Sequence, residues 1–144
     1  MADDLNWLLR RLVEAVPDTH SALLLSVDGI PKYWYGLDID GADRLAALAS
    51  SMCSLANQVG KKFSGDDPSG AGVRQVITEL NEIILFVTAA SAGSVLAVLA
   101  AREVDAGILS YEMQRLCTQV PAVLTTPSRY HVTHQAAHQG NGTR

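Results

Sequence analysis

The sequence lacks a strong charge of either sign, a cysteine cluster and a catalytic signature, and each absence removes a class of function. Eleven basic residues against fifteen acidic ones leave a formal net charge of −4. So mild a balance offers little electrostatic attraction to nucleic acid or to an anionic membrane. The two cysteines, Cys53 and Cys117, stand alone, with no CxxC pair and no Cys/His group. That argues against structural zinc and fits two small buried thiols in a reducing compartment. The longest apolar stretch, Ile83 to Ala101, is interrupted by Thr88, Ser91, Gly93 and Ser94. It reads as two strands and a turn rather than as a membrane span. Asp3 and Asp4 at the start are wrong for a secretory signal. The expectation is a cytoplasmic protein that meets a membrane, if at all, through its partners.

Catalytic patterns are missing as well. Gly60-Lys61-Lys62 has neither the earlier glycine nor the following hydroxyl residue of a phosphate loop, and it falls on a helical segment. There is no GxSxG elbow. His20 is the one histidine ahead of the C-terminal tail. Asp18 and Ser21 adjoin it in sequence, which does not make a catalytic geometry. Asp38-Asp40-Gly41 resembles a fragment of a calcium loop, but the closing Glu is absent. Asp38, Asp40 and Asp43 suit the positive end of a helix dipole instead. His131, His134 and His138 lie in a polar tail with no carboxylate among them. No catalytic residue, metal ligand or cofactor site is predicted.

What remains is an ordinary globular composition, 48% hydrophobic, at a length that fits one domain. Leu5, Leu8, Leu9, Leu12, Val13 and Val16 recur at helical spacing until Pro17. Strands are predicted at Ser21–Val27 and Ile30–Tyr35, joined by an Asp28-Gly29 turn with positive φ at both positions. A long helix follows from about Ala42 to Phe63. Leu45, Leu48, Met52, Leu55, Val59 and Phe63 form its apolar stripe, assigned to the core. After the loop SGDDPSGAG come strands at Val73–Glu79, Ile83–Thr88 and Val95–Ala101. A last helix starts after Asp105. From Thr126 onward the composition turns polar, and residues 126–144 read as a disordered tail. The order α-β-β-α-β-β-β-α, with short connections, implies a five-stranded antiparallel sheet. Three of its strands are apolar on both faces, so both faces need cover. The predicted architecture is an α/β sandwich with the long helix on one face and the terminal helices on the other.

Two features point away from chemistry and toward assembly. Between Arg44 and Lys61 the long helix has no charged residue. Opposite its leucines it carries Ala46, Ala47, Ser50, Ser54 and Asn57. A one-sided helix normally shows Lys and Glu there, so this small, neutral face reads as a protein interface. The second feature is the sheet edge. Pro31 and Lys32 suit a blocked edge on the second strand. The third strand has no proline and is polar enough to be the other edge, open to its own copy across a two-fold axis.

The stretch SALLLSVDGIPKYWYGLDIDGADRLAALASSMCSLANQVGKKF resembles the first half of a roadblock-family domain. This family comprises the dynein light chain roadblock type and its bacterial MglB-like relatives. The similarity is nearest to actinobacterial roadblock proteins of conservon operons. It covers the domain assigned here to residues 3–125. The resemblance implies a profilin-like roadblock fold and a protein that is not an enzyme. It implies a homodimer formed through the third strand and the long helix, serving as a platform for a Ras-like small GTPase. It further implies a signalling complex that includes a sensor histidine kinase. Carried onto this chain, the platform face is Ala47, Ser50, Ser51, Ser54, Asn57, Gln58 and Lys61. The dimer edge is Arg74, Gln75, Val76, Ile77 and Thr78. The alternative is a small-molecule sensor of the PAS or GAF type, which would place polar residues inside the core.

Overall fold

The computed structural model describes residues 2–65, 72–90 and 93–124. The predicted tail 126–144 lies outside them, as do the middle of the SGDDPSGAG loop and the turn at Ser91. The elements run α1 (Ala2–Ala15), β1 (Thr19–Ser26), β2 (Pro31–Tyr35), α2 (Ile39–Phe63), β3 (Gln75–Glu79), β4 (Ile83–Ala89), β5 (Ser94–Ala101) and α3 (Ala106–Leu124). This is the predicted order. The five strands form one antiparallel sheet in the order β2-β1-β5-β4-β3. The two edge strands are therefore β2 and β3.

Both sheet faces are covered. On one face α1 and α3 set Leu5, Leu9, Leu12, Leu109, Met113 and Leu116 against Leu24, Phe86, Leu96 and Val98. On the other, α2 sets Ala42, Leu45, Ala46 and Ala49 against Leu23, Leu25, Leu85, Val87 and Val95. Successive strand residues point to opposite faces. That is why Leu23 and Leu25 join one cluster while Ala22 and Leu24 join the other.

Local signals place the ends of the elements. Pro17 follows α1, and Asp18 takes a left-handed φ of 71° as the chain turns into β1. Its carbonyl accepts from Ala101 N–H at 2.8 Å, tying the corner to β5. Asp38 caps α2, its Oδ1 accepting from Gly41 N–H at 2.7 Å. The helix thus begins at Ile39, three residues before the predicted start. Asp40 and Asp43 lie inside it, and Asp38 alone precedes it. Asp105 caps α3 in the same way, accepting from Ile108 N–H at 3.0 Å. Strand β3 begins at Gln75, so Val73 and Arg74 precede the strand to which they were assigned.

The β1–β2 turn also differs from expectation. Gly29 has a φ of 88°, but Asp28 is not in the left-handed region. Gly29 N–H donates to Ser26 C=O at 2.9 Å, and Ser26 N–H to Ile30 C=O at 2.9 Å. This is a three-residue loop, Val27-Asp28-Gly29, in which only the last residue needs the left-handed conformation. Asp28 is an exposed turn residue.

Candidate functional site: helix α2 and the β3 edge

Helix α2 carries two apolar stripes, and the sheet takes the one with the smaller residues. Ala42, Leu45, Ala46 and Ala49 are buried, with Met52 and Cys53 packed against their cluster. Leu48, Leu55, Val59 and Phe63 are 56%, 63%, 58% and 77% exposed. Of the six residues assigned to the core stripe from sequence, only Leu45 is fully buried and Met52 partly so. Ala46, assigned to the outward face, is instead buried against the sheet. The physical reason lies in the sheet. Its surface under α2 is already filled with Leu23, Leu25, Leu85 and Val87. Alanines let the helix axis come close to that surface, whereas leucines at the contact would hold it away.

The flanks of α2 follow from two contacts. Thr78 Oγ1 on β3 donates to Met52 Sδ at 3.7 Å. Leu48, Leu55 and Val59 share the Met52 side at a turn of about 100° per residue, so the leucine flank lies toward β3. On the opposite flank, a Cβ built on Gly29 would stand 2.9 Å from Ser50 Oγ. That flank meets the β1–β2 hairpin.

Between these flanks lies the small-residue face. Ala47, Ser51, Ser54, Gln58 and Lys61 are exposed, while Ser50 and Asn57 are half-buried. Ser50 and Ser51 donate back to Ala47 C=O at 3.2 and 2.8 Å. Their hydroxyl protons are thereby used within the helix, and the face stays neutral. A surface cavity of about 340 Å³ opens beside it, lined by Val27, Cys53, Ser54, Asn57 and Val95 among others. The buried polar side chains among the described residues are Ser21, Thr88 and Ser94, a thin set for the sensor alternative.

Strand β3 pairs with β4 along one side only. Val76 packs under α2. Gln75 Nε2 donates to Thr88 Oγ1 at 3.4 Å and to Ser110 Oγ at 3.3 Å, anchoring the start of the strand toward α3. Ile77 is 52% exposed. Arg74 is exposed and sits just outside the strand. The structure thus brings Thr78 and Met52 into one region, continuous with the leucine flank, while Ile77 lies on the α3 side of the same edge strand. The Ala47–Lys61 face is a separate strip along the same helix. Sequence periodicity missed the leucines as a surface. The available signal was the second stripe, Ala42-Ala46-Ala49-Cys53, whose spacing is equally helical.

Burial raises the Cys53 thiol pKa and pushes that of Cys117 up to about 11, away from the nucleophilic thiolate. Among the described residues no three His, Cys, Asp or Glu side chains gather into a possible metal group. No described helix is long and apolar enough to cross a membrane.

The frame is a helix-covered, open five-stranded antiparallel sheet. The family profile described as Roadblock/LC7 domain matches residues 5–100, and the chain belongs to that family. A roadblock/LC7 domain from Streptomyces avermitilis is 48% identical with a TM-score of 0.78, covering 83% of this chain and 97% of that one. MglB of Myxococcus xanthus shares the fold at 16% identity and a TM-score of 0.71, over 85% of this chain and 96% of its own. Profilin IB of Acanthamoeba castellanii shares it more distantly, at 12% identity and a TM-score of 0.52, over 81% and 95%. No curated protein matched the chain.

Proposed function

We propose that this chain is a non-catalytic homodimeric scaffold that binds a Ras-like small GTPase. The observation that carries the dimer is the continuity of the exposed Leu48-Leu55-Val59 flank with the unpaired edge of β3. Each of these side chains gains about 1–2 kcal/mol when the rest of its surface is buried. The edge strand gains the main-chain partners it lacks. An antiparallel meeting of two α2 helices also sets the acidic start of one, Asp40 and Asp43, near the basic end of the other, Lys61 and Lys62.

With the leucines occupied by the second copy, Ala47, Ser50, Ser51, Ser54, Asn57, Gln58 and Lys61 are left as the face for the GTPase. Family membership supports this assignment, as does the lack of charge along the strip, which favours close approach. The resemblance to conservon proteins supports a role for the dimer within a histidine-kinase-linked signalling complex. The dimer reaches the membrane through those partners. The test is to mix the purified chain with its Ras-like GTPase loaded with GDP or with a non-hydrolysable GTP analogue. The expected result is a complex that forms with one nucleotide state and weakens when Ser54 or Gln58 is replaced by Arg. Absence of binding in both states overturns the GTPase assignment.

A further inference from the structure

The geometry of β3 points to one register for the proposed dimer, with the two-fold axis passing through Ile77. This rests on the reading above that β3 is the subunit edge. Leu80 N–H donates to Ile83 C=O at 2.8 Å, and Thr78 and Val76 stand opposite Leu85 and Val87 in the same ladder. Hydrogen bonding alternates along an antiparallel strand. Val76, Thr78 and Leu80 therefore turn their main-chain groups toward β4. Gln75, Ile77 and Glu79 turn theirs outward, to the open edge.

Side-chain direction restricts the choice further. Val76 and Thr78 lie on the α2 side of the sheet, where Val76 joins the core cluster and Thr78 meets Met52. Gln75 lies on the α3 side, bonded to Ser110. Residues directly opposite in an antiparallel pair share a face. A two-fold axis between strands must then pass through a residue, leaving Val76, Ile77 and Thr78 as the central candidates. With the axis at Ile77, every outward residue of Gln75–Glu79 finds a partner. Ile77 meets the partner's Ile77, and Gln75 meets the partner's Glu79 at each end. With the axis at Val76 or Thr78, one of the three outward residues falls beyond the partner's strand and loses both bonds. The Ile77 register also covers the half-exposed isoleucine with its own copy. It keeps each Glu79 four positions from the partner's Glu79.

Disulfide trapping reads the register directly. In the full-length chain, Ile77→Cys, Val76→Cys and Thr78→Cys are made separately and oxidised mildly. Products are resolved without reductant and mapped by mass spectrometry, with the unmodified chain as control for Cys53 and Cys117. A hydrogen-bonded pair holds its Cα atoms about 5.5 Å apart, inside the disulfide range. A pair displaced by two positions is about 7 Å further along the strand and outside it. The expected result is a covalent dimer for Ile77→Cys, at least about ten-fold above the yields at positions 76 and 78. Co-expressed Gln75→Cys and Glu79→Cys chains are expected to cross-link as well, independently of any change at Ile77. A preferred link at 76 or 78 overturns the register and leaves the β3 dimer standing. Light scattering of the unmodified chain separates the remaining outcomes. A dimer that links at none of these positions overturns pairing through β3, and a monomer overturns the dimer itself.

Discussion

Helices α1 and α2 both carry regularly spaced leucines, but they use them differently. In α1, Leu5, Leu9 and Leu12 are buried against the sheet and α3. In α2, Leu48 and Leu55 are exposed, and alanines make the sheet contact. The first helix uses its large side chains to hold the monomer together. The second reaches the core with its small ones and leaves its large ones available to a partner. Similar spacing thus serves folding in one place and, in the proposed dimer, association in the other. What differs is the surface underneath, because the sheet below α2 is already filled by its own leucines.

Paired substitutions break this comparison most sharply. Leu9→Ala in α1 is expected to cost about 2–5 kcal/mol of folding stability. Leu55→Ala in α2 is expected to change monomer stability by less than about 0.5 kcal/mol while weakening self-association. Denaturant melts at matched concentration, together with sedimentation equilibrium, measure both quantities. If Leu55→Ala lowers stability as much as Leu9→Ala in a monomeric preparation, the leucines of α2 are core residues after all. Next in size is Ala46→Leu, which forces the helix off the sheet at an expected cost of about 1–3 kcal/mol. Ala47→Leu, one position away and exposed, is expected to be nearly neutral in the same melt.

Smaller effects test the hairpin contact and the N-terminal cap of α2. Gly29→Ala places a Cβ 2.9 Å from Ser50 Oγ at a φ of 88°, with an expected loss of about 1–2 kcal/mol. Asp38→Ala removes the α2 cap and is expected to cost about 1 kcal/mol in the same assay. The smallest expected effect concerns Cys117. Its raised pKa means that the folded state favours the neutral thiol. The resulting stability is present below the ordinary thiol value of 9.0 and is lost as pH rises toward about 11. Alkylation of Cys117 at pH 8 is accordingly expected to be slower than that of a free cysteine. A rate equal to the free thiol shows that the site is not desolvated.

Much of the fold was legible in the sequence because its signals are local. Pro17 marks the end of α1, Asp105 caps α3, and short connections dictate antiparallel pairing. Apolar strands on both faces require a three-layer arrangement. The edge positions of β2 and β3 could also be read, from Pro31 in one and the polar pattern of the other. The orientation of α2 could not. Its two apolar stripes overlap in period, and the choice between them depends on how much volume the opposing strands already occupy. The turn at Asp28-Gly29 failed for a related reason. A two-residue and a three-residue loop share the same dipeptide, and the hydrogen bonds of Ser26 decide between them. The proposed site inherits this division. Strand β3 was found as an edge, whereas the leucine flank beside it emerged only once the helix was seen docked.

The most direct measurement is the mass of the unmodified chain in solution, by light scattering at micromolar concentration, beside Leu55→Glu. An interface made of the α2 leucines and β3 predicts twice the chain mass of 15.4 kDa for the unmodified protein. The variant is then a folded species at the single-chain mass. A monomeric unmodified chain contradicts the interface, and so does a dimer that Leu55→Glu leaves intact.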